Sequence, residues 1–273
     1  MLSRFIPARV QHSRLFRYWP RVRAALQYYK GRRRQIYEWG FTSREETNYT
    51  YGLTARNLEY MAFMVAAASG KGVDEILGYI NEAANDQELA DHVVRMTLAS
   101  NFRTFADPRC EFGRRLGWYA MARALKPKVI IETGVDKGHG AVLLCAAVER
   151  NRADGTQSAY YGTDINPNAG YLLDGKYTEF GKILYGDSIE SLEAFPEKID
   201  LFINDSDHSA EYEYREYVTV KDKLSKNAVI LGDNSHATDS LVRFAREEQR
   251  NFIFFREEPR DHWYPGAGIG ISY

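Results

Sequence analysis

The sequence predicts an α/β protein: a doubly wound, mostly parallel seven-stranded sheet closed by an antiparallel C-terminal hairpin, with a helical N-terminal region in front. Three observations lead there. From Val129 onward, short apolar runs alternate with helical stretches, as in a parallel sheet covered on both faces. The tail breaks that alternation, because Asn251–Arg256, a turn through Pro265-Gly266, and Gly268–Tyr273 read as a hairpin. Before residue 105 there is no strand-like alternation at all.

Residues 1–105 form the expected N-terminal region, a basic segment (1–40) followed by a helical cap (42–103). The first forty residues hold nine arginines and Lys30 against one acid, Glu38. Such an Arg-rich, acid-poor start suits a transit peptide or a membrane-surface helix. The alternative is an exposed basic helix over Val22–Tyr37, after Pro20, that packs on its own chain or on a second subunit. The aromatics Phe16, Tyr18, Trp19, Tyr28, Tyr29, Tyr37 and Trp39 favour docking, and with it a homo-oligomer formed through this region. In the cap, Ser43 and Glu46 have capping-box spacing. Leu58, Met61, Ala62 and Val65 share one helical face, which ends at Gly70 and Gly72. Val73, Ile76, Leu77 and Ile80 make a second face, and Asn85 with Glu88 would cap a third helix running through Met96.

The second domain spans 106–273, opened by the connector 106–112. A helix over Gly113–Leu125 leads into the strand Val129-Ile130-Ile131. A glycine turn and a helix (Ala141–Arg150) follow. Further strands are expected at Ser158–Thr163, Lys182–Tyr185, Asp200–Ile203 and Ala228–Leu231, with a helix over Ala210–Leu224.

Composition narrows the function. The chain has 273 residues, 44% of them hydrophobic and 27% charged, with a net charge of -1. That balance gives no general electrostatic case for nucleic acid. Cys110 and Cys145 are too few for a disulfide framework or a zinc site, so a cytoplasmic setting is the expectation. The longest apolar stretch, near Met61–Ala68, is too short for a bilayer span.

The chemistry gathers at the ends of the strands. Glu132-Thr-Gly134-Val-Asp-Lys-Gly138-His-Gly140 follows a buried strand and opens a helix. Its glycines let a ligand approach the backbone, and the helix start offers free N–H groups. A dinucleotide fingerprint would need a second glycine at position 136, and Asp136 stands there. An acid beside the loop suits a ligand without phosphates. Asp164 closes the next strand, and Gly186-Asp187-Ser188 follows the third.

These residues resemble the cofactor motifs of class I S-adenosylmethionine-dependent methyltransferases. The resemblance implies that the loop of Glu132, Gly134, Gly138 and Gly140 wraps the methionine part of S-adenosyl-L-methionine. It implies further that Asp164 holds the ribose hydroxyls and Asp187 lies beside the adenine. Three acids after three successive strands match in register.

Asp205-Ser-Asp207-His208 and Asp233-Asn234-Ser-His236 follow the fourth and fifth strands. They are similar to the paired motifs of metal-dependent O-methyltransferases of the catechol, caffeoyl-CoA and macrolide-sugar types. That likeness implies an Mg²⁺ ion held by Asp205, Asp233 and Asn234, hard oxygen donors of the kind the ion takes, with Asp205 also bordering the cofactor. Two adjacent hydroxyls of a small acceptor would chelate the ion, and one would lose its proton and attack the methyl group.

His208 stands where the catechol-type relatives carry a lysine. It is one candidate base and Asp207 the other, unless Asp207 only caps the helix that follows. His236 lines the pocket or caps the next helix. Trp118 and Tyr119 read as packing, or alternatively as substrate contacts. A non-catalytic cofactor-binding module and an RNA methyltransferase are the rival functions.

Overall fold

A computed structural model describes residues 13–104 and 110–273. Arg4 and Arg9 of the basic segment, and most of the expected connector, lie outside the described residues.

The chain divides into two compact units. The smaller comprises residues 1–43 with 261–264. It contains helices α1 (Arg14–Tyr28) and α2 (Lys30–Thr42), so the basic segment is two helices rather than one. Pro20 sits inside α1, and α2 buries none of its residues. Trp39 meets Trp263 at 5.3 Å and His262 at 6.2 Å between ring centres.

The larger unit holds everything else. Its helices are α3 (Ala55–Ser69), α4 (Val73–Ala84), α5 (Gln87–Ala99), α6 (Arg115–Leu125), α7 (His139–Ala153), α8 (Ser188–Ala194), α9 (Ala210–Val220) and α10 (Ser240–Glu247). Its strands are β1 (Val129–Thr133), β2 (Ala159–Asp164), β3 (Gly181–Tyr185), β4 (Ile199–Asn204), β5 (Leu224–Gly232), β6 (Phe252–Arg256) and β7 (Gly268–Ser272). They form one sheet in the order β3-β2-β1-β4-β5-β7-β6. The first five strands are parallel, and β7 runs antiparallel to both β5 and β6. The expected doubly wound sheet with its terminal hairpin is therefore the observed one.

Two helix starts differ from expectation. Ser43 ends α2, and α3 is capped by Thr54, which accepts from the Asn57 N–H at 3.3 Å. Asn85 ends α4, while Asp86 caps α5 by accepting from Leu89 N–H at 2.9 Å. In both cases the true cap sits directly before the helix, where a side-chain oxygen reaches its free N–H groups.

Alternating residues of the central strands fill the core. Val129, Ile131, Phe202 and Ile230 pack with Leu192, Tyr217, Leu241 and Phe244 from α8, α9 and α10. On the helical side, Glu82 of α4 accepts from Tyr119 (2.6 Å) and Arg123 (2.9 Å) of α6. Asp86 pairs with Arg150 of α7. These ties join the cap helices to the sheet unit.

Parallel strands place all their exits on one edge, and backbone bonds align them there. Gly134 N–H donates to Thr163, Gly186 to Asp164, Asp205 to Thr133 and Asp233 to Asn204, each at 2.9 Å. Every motif read from the sequence lies on this edge, where open α/β sheets place their ligands.

Candidate active site

The glycine loop owes its shape to positive φ angles at Gly134 (81°) and Gly138 (96°), and at Asp136 (46°). A Cβ on Gly134 would collide with the backbone of Asp205, so glycine is what lets the β1 exit run beside the β4 exit. Asp164 braces the loop by accepting from the N–H groups of Asp136 and Asn166, both at 2.8 Å. The acid expected at the ribose thus also holds the loop in place.

Glu132 lies deeper than the sequence suggests. It is 1% exposed, sits beneath Gly140, whose missing Cβ leaves room for it, and accepts from the Tyr160 hydroxyl at 2.5 Å. Burial pushes its carboxyl up to about 8. It supports the first turn of α7 from below. Asp187 caps α8 through Ile189 N–H (2.8 Å) and Glu190 N–H (3.2 Å), and also accepts from Tyr212 at 3.1 Å. Trp118 and Tyr119 are fully buried. They belong to the packing.

The edge over β4 and β5 holds the feature that the sequence did not reveal. Arg114 donates from Nε to Asp233 at 2.6 Å, and its Nη2 bonds the other oxygen of the same carboxylate. Its Nη1 reaches the Tyr51 hydroxyl (2.9 Å) and Glu257 (3.2 Å), and Tyr51 donates to Glu257 at 2.8 Å. Arg115 stands 3.8 Å from Asp205. Burial pushes Asp233 up, but the charge and hydrogen bonds of Arg114 outweigh it and hold the carboxyl below its ordinary range. Burial and the negative charge of Asp233 push Asp205 well above it.

This arrangement does not fit the expected Mg²⁺ ligand set of Asp205, Asp233 and Asn234. Both oxygens of Asp233 are taken by a guanidinium, which already supplies the positive charge that an ion would bring. A second arginine faces Asp205. The Asn234 side chain is fully buried, and its amide has no protein partner. That orphaned amide is open to a ligand or a water, but an ion at Asp233 would sit beside the Arg114 guanidinium, whose charge repels it.

Asp207 accepts from Ser209 N–H at 2.7 Å, and that bond lowers its pKa. That bond closes a turn onto Ser209, the residue directly before α9, without capping the helix itself, and a lowered pKa makes a weak base. His208 is exposed on the same loop. His236 is exposed and contacts the Asp233 carbonyl at 3.1 Å, while α10 begins after Asp239.

Beneath the edge, Glu216 of α9 accepts from Thr133 (3.1 Å), Ser206 (2.7 Å), Ser188 and Asn204. Its carboxyl is raised, mainly by burial. One carboxylate thereby fixes the exits of β1 and β4 and the start of α8. The helix could be read from the sequence, but nothing local marked this residue.

Comparison with known proteins agrees with the geometry. Residues 131–235 match the family model described as a methyltransferase domain. No curated protein matches the sequence. Among solved structures, the chain is similar to the SAH-bound methyltransferase PaMTH1 of Podospora anserina, with 17% identity, a TM-score of 0.50, and coverage of 73% of this chain and 94% of that one. It is also similar to an O-methyltransferase of Bacillus cereus in complex with SAH, at 11% identity and a TM-score of 0.49, over 68% of this chain and 90% of that one. At such identities the likeness is one of fold. The matched stretch is a methyltransferase domain, as its resemblance to the class I enzymes implied, and the chain that carries it is an enzyme.

Proposed function

We propose that this methyltransferase domain binds S-adenosyl-L-methionine at the exits of β1, β2 and β3 and methylates an oxygen of a small hydroxylated acceptor, with no resident magnesium ion. The observation that carries the reading is the single sheet edge on which a glycine loop, three acids and a charged pair stand together. Asp164 against the glycine loop and Asp187 at the start of α8 follow successive strands, with the buried Glu132 carboxyl beneath them. That donor set suits a cationic, phosphate-free ligand.

The cofactor supplies an electrophilic methyl group on a positively charged sulfur. The chain supplies position and proton handling. Gly134 and Gly138 let the backbone approach the ligand, Asp164 steadies the loop, and Asp187 borders the adenine end. His208, on the exposed loop after β4, takes the proton of the acceptor hydroxyl. Arg114 keeps Asp233 charged and fixed. Oxygen as the acceptor atom rests on the resemblance of the β4 and β5 motifs to O-methyltransferases. Free Cys110 and Cys145 accord with a cytoplasmic setting.

Two measurements test the reading. Calorimetric titration of S-adenosylmethionine should give measurable affinity for the wild type and a loss of about 1–3 kcal/mol in Asp164→Ala. Turnover on a panel of small diols and phenols should persist in excess EDTA. Absence of cofactor binding would overturn the site, whereas abolition of turnover by EDTA would restore the metal.

A further inference from the structure

The 36 lysines and arginines and 37 acids of the chain are unevenly placed. Residues 1–43 hold ten of these cations and one of these acids, so the remaining residues carry a net charge of -10. Helices α1 and α2 carry Arg14, Arg17, Arg21, Arg23, Lys30, Arg32, Arg33 and Arg34, all exposed. Glu38 is their only acid, and it is engaged by Arg34 at 2.6 Å.

The same two helices expose large apolar side chains: Trp19 is 73% exposed, Tyr28 85%, Tyr37 73% and Phe41 92%. On α1 the two kinds of residue separate in part, Tyr28 falling on the side of Arg17 and Arg21. Tyr18, Trp19, Val22 and Leu26 recur at helical spacing along one face, and Arg14, Arg17 and Arg21 along another. On α2 they intermingle, Ile36, Tyr37 and Phe41 lying among Lys30 and Arg32–Arg34.

We propose that α1 and α2 form a docking surface for an anionic phospholipid bilayer. Aromatic rings with one apolar and one polar end settle at the headgroup level, and arginines reach outward from it to phosphate and serine headgroups. A folded protein partner would cover one face and leave the intermingled aromatics of α2 in water, whereas a headgroup layer surrounds a helix on several sides. The charge split confines that attraction to the basic helices, since a negative leaflet repels the acidic remainder.

The test uses the full chain and vesicles of phosphatidylcholine, with or without phosphatidylserine. Co-sedimentation should occur with the mixed vesicles at low salt, be weak with phosphatidylcholine alone, and fall as salt rises. Combined Arg14→Ala, Arg17→Ala and Arg21→Ala should lower partitioning about 100-fold, and Trp19→Ser about tenfold. All these positions are exposed, so an unchanged melting curve confirms that the variants fold. Equal binding to both vesicle types, or binding to neither, overturns the proposal. So does a concentration-dependent dimer that the arginine variants dissolve, or an RNA complex of higher affinity that they abolish, since the helices would then serve that partner.

Discussion

Two kinds of buried carboxylate stand a few residues apart along the same sheet edge, and their neighbours treat them differently. Asp233 is met by the Arg114 guanidinium, which offsets burial and keeps the group charged. Glu132 and Glu216 are met by neutral donors, the Tyr160 hydroxyl in one case and three hydroxyls with the Asn204 amide in the other. Neutral donors do not supply a charge, so burial dominates and both carboxyls are raised. The difference separates their roles. The clamped acid presents a fixed ion pair at the β5 exit, while the hydroxyl-bound acids sit under the loops with their carboxyls raised by burial and no cation bonded to them.

Removing the cation should break the comparison most severely. Arg114→Ala leaves Asp233 and Glu257 buried without their shared partner, an arrangement that costs about 3–5 kcal/mol. Chemical denaturation should read it directly. The same variant frees both Asp233 oxygens, so added Mg²⁺ should stabilise Arg114→Ala and leave the wild type unmoved. Equal Mg²⁺ responses from both proteins would show that Arg114 is no obstacle to the ion.

Glu132 tests the other half. The folded protein holds its proton up to about pH 8, while the unfolded chain releases it near 4.5. Stability therefore favours low pH and falls as pH rises between those values, then levels off. The shift corresponds to a few kcal/mol. Glu132→Gln keeps an acceptor for Tyr160 and should remove that slope, so its advantage over wild type grows from pH 5 to pH 8. Parallel pH profiles for the two proteins would mean that Glu132 is ionised in the fold.

The smallest effect is expected at Glu216→Gln. Three of its four donors converge on one oxygen, which an amide retains, and Ser188 is able to accept from the new NH₂ group. A loss of about 1 kcal/mol near neutral pH is expected, with the β4 and α8 junction intact by amide exchange. A loss as large as that of Arg114→Ala would show that its charge matters as much as its geometry.

The sheet was readable because parallel strands announce themselves locally. Val129-Ile130-Ile131 is apolar throughout since both faces are covered, and a glycine turn ends it. The glycine loop and the acids at 132, 164 and 187 could be found for the same reason, each being attached to a strand end. What could not be read was pairing across distance. Arg114 meets Asp233 across 119 positions and Glu257 across 143, and no local pattern marks either partner. The Mg²⁺ expectation followed from Asp205, Asp233 and Asn234 and the family they resemble, and did not include the arginine that reaches Asp233. Asp207 shows the limit at short range. The second acid of Asp205-Ser-Asp207 reads equally as a base or as a helix cap, and in the fold it instead holds the turn at Ser209.

Tyr51 and Glu257 lie 206 positions apart and close the same network that holds Asp233. During synthesis, Tyr51 and Arg114 emerge well before Glu257, their partner 206 and 143 positions further along. The β5 exit therefore acquires its final charge arrangement only after β6 and the Glu257 that follows it have emerged. A chain truncated before Glu257 would carry every strand of the parallel sheet and still lack the anchor of its reacting edge. In this fold the segment after β6 ties the candidate site to residues far earlier in the chain.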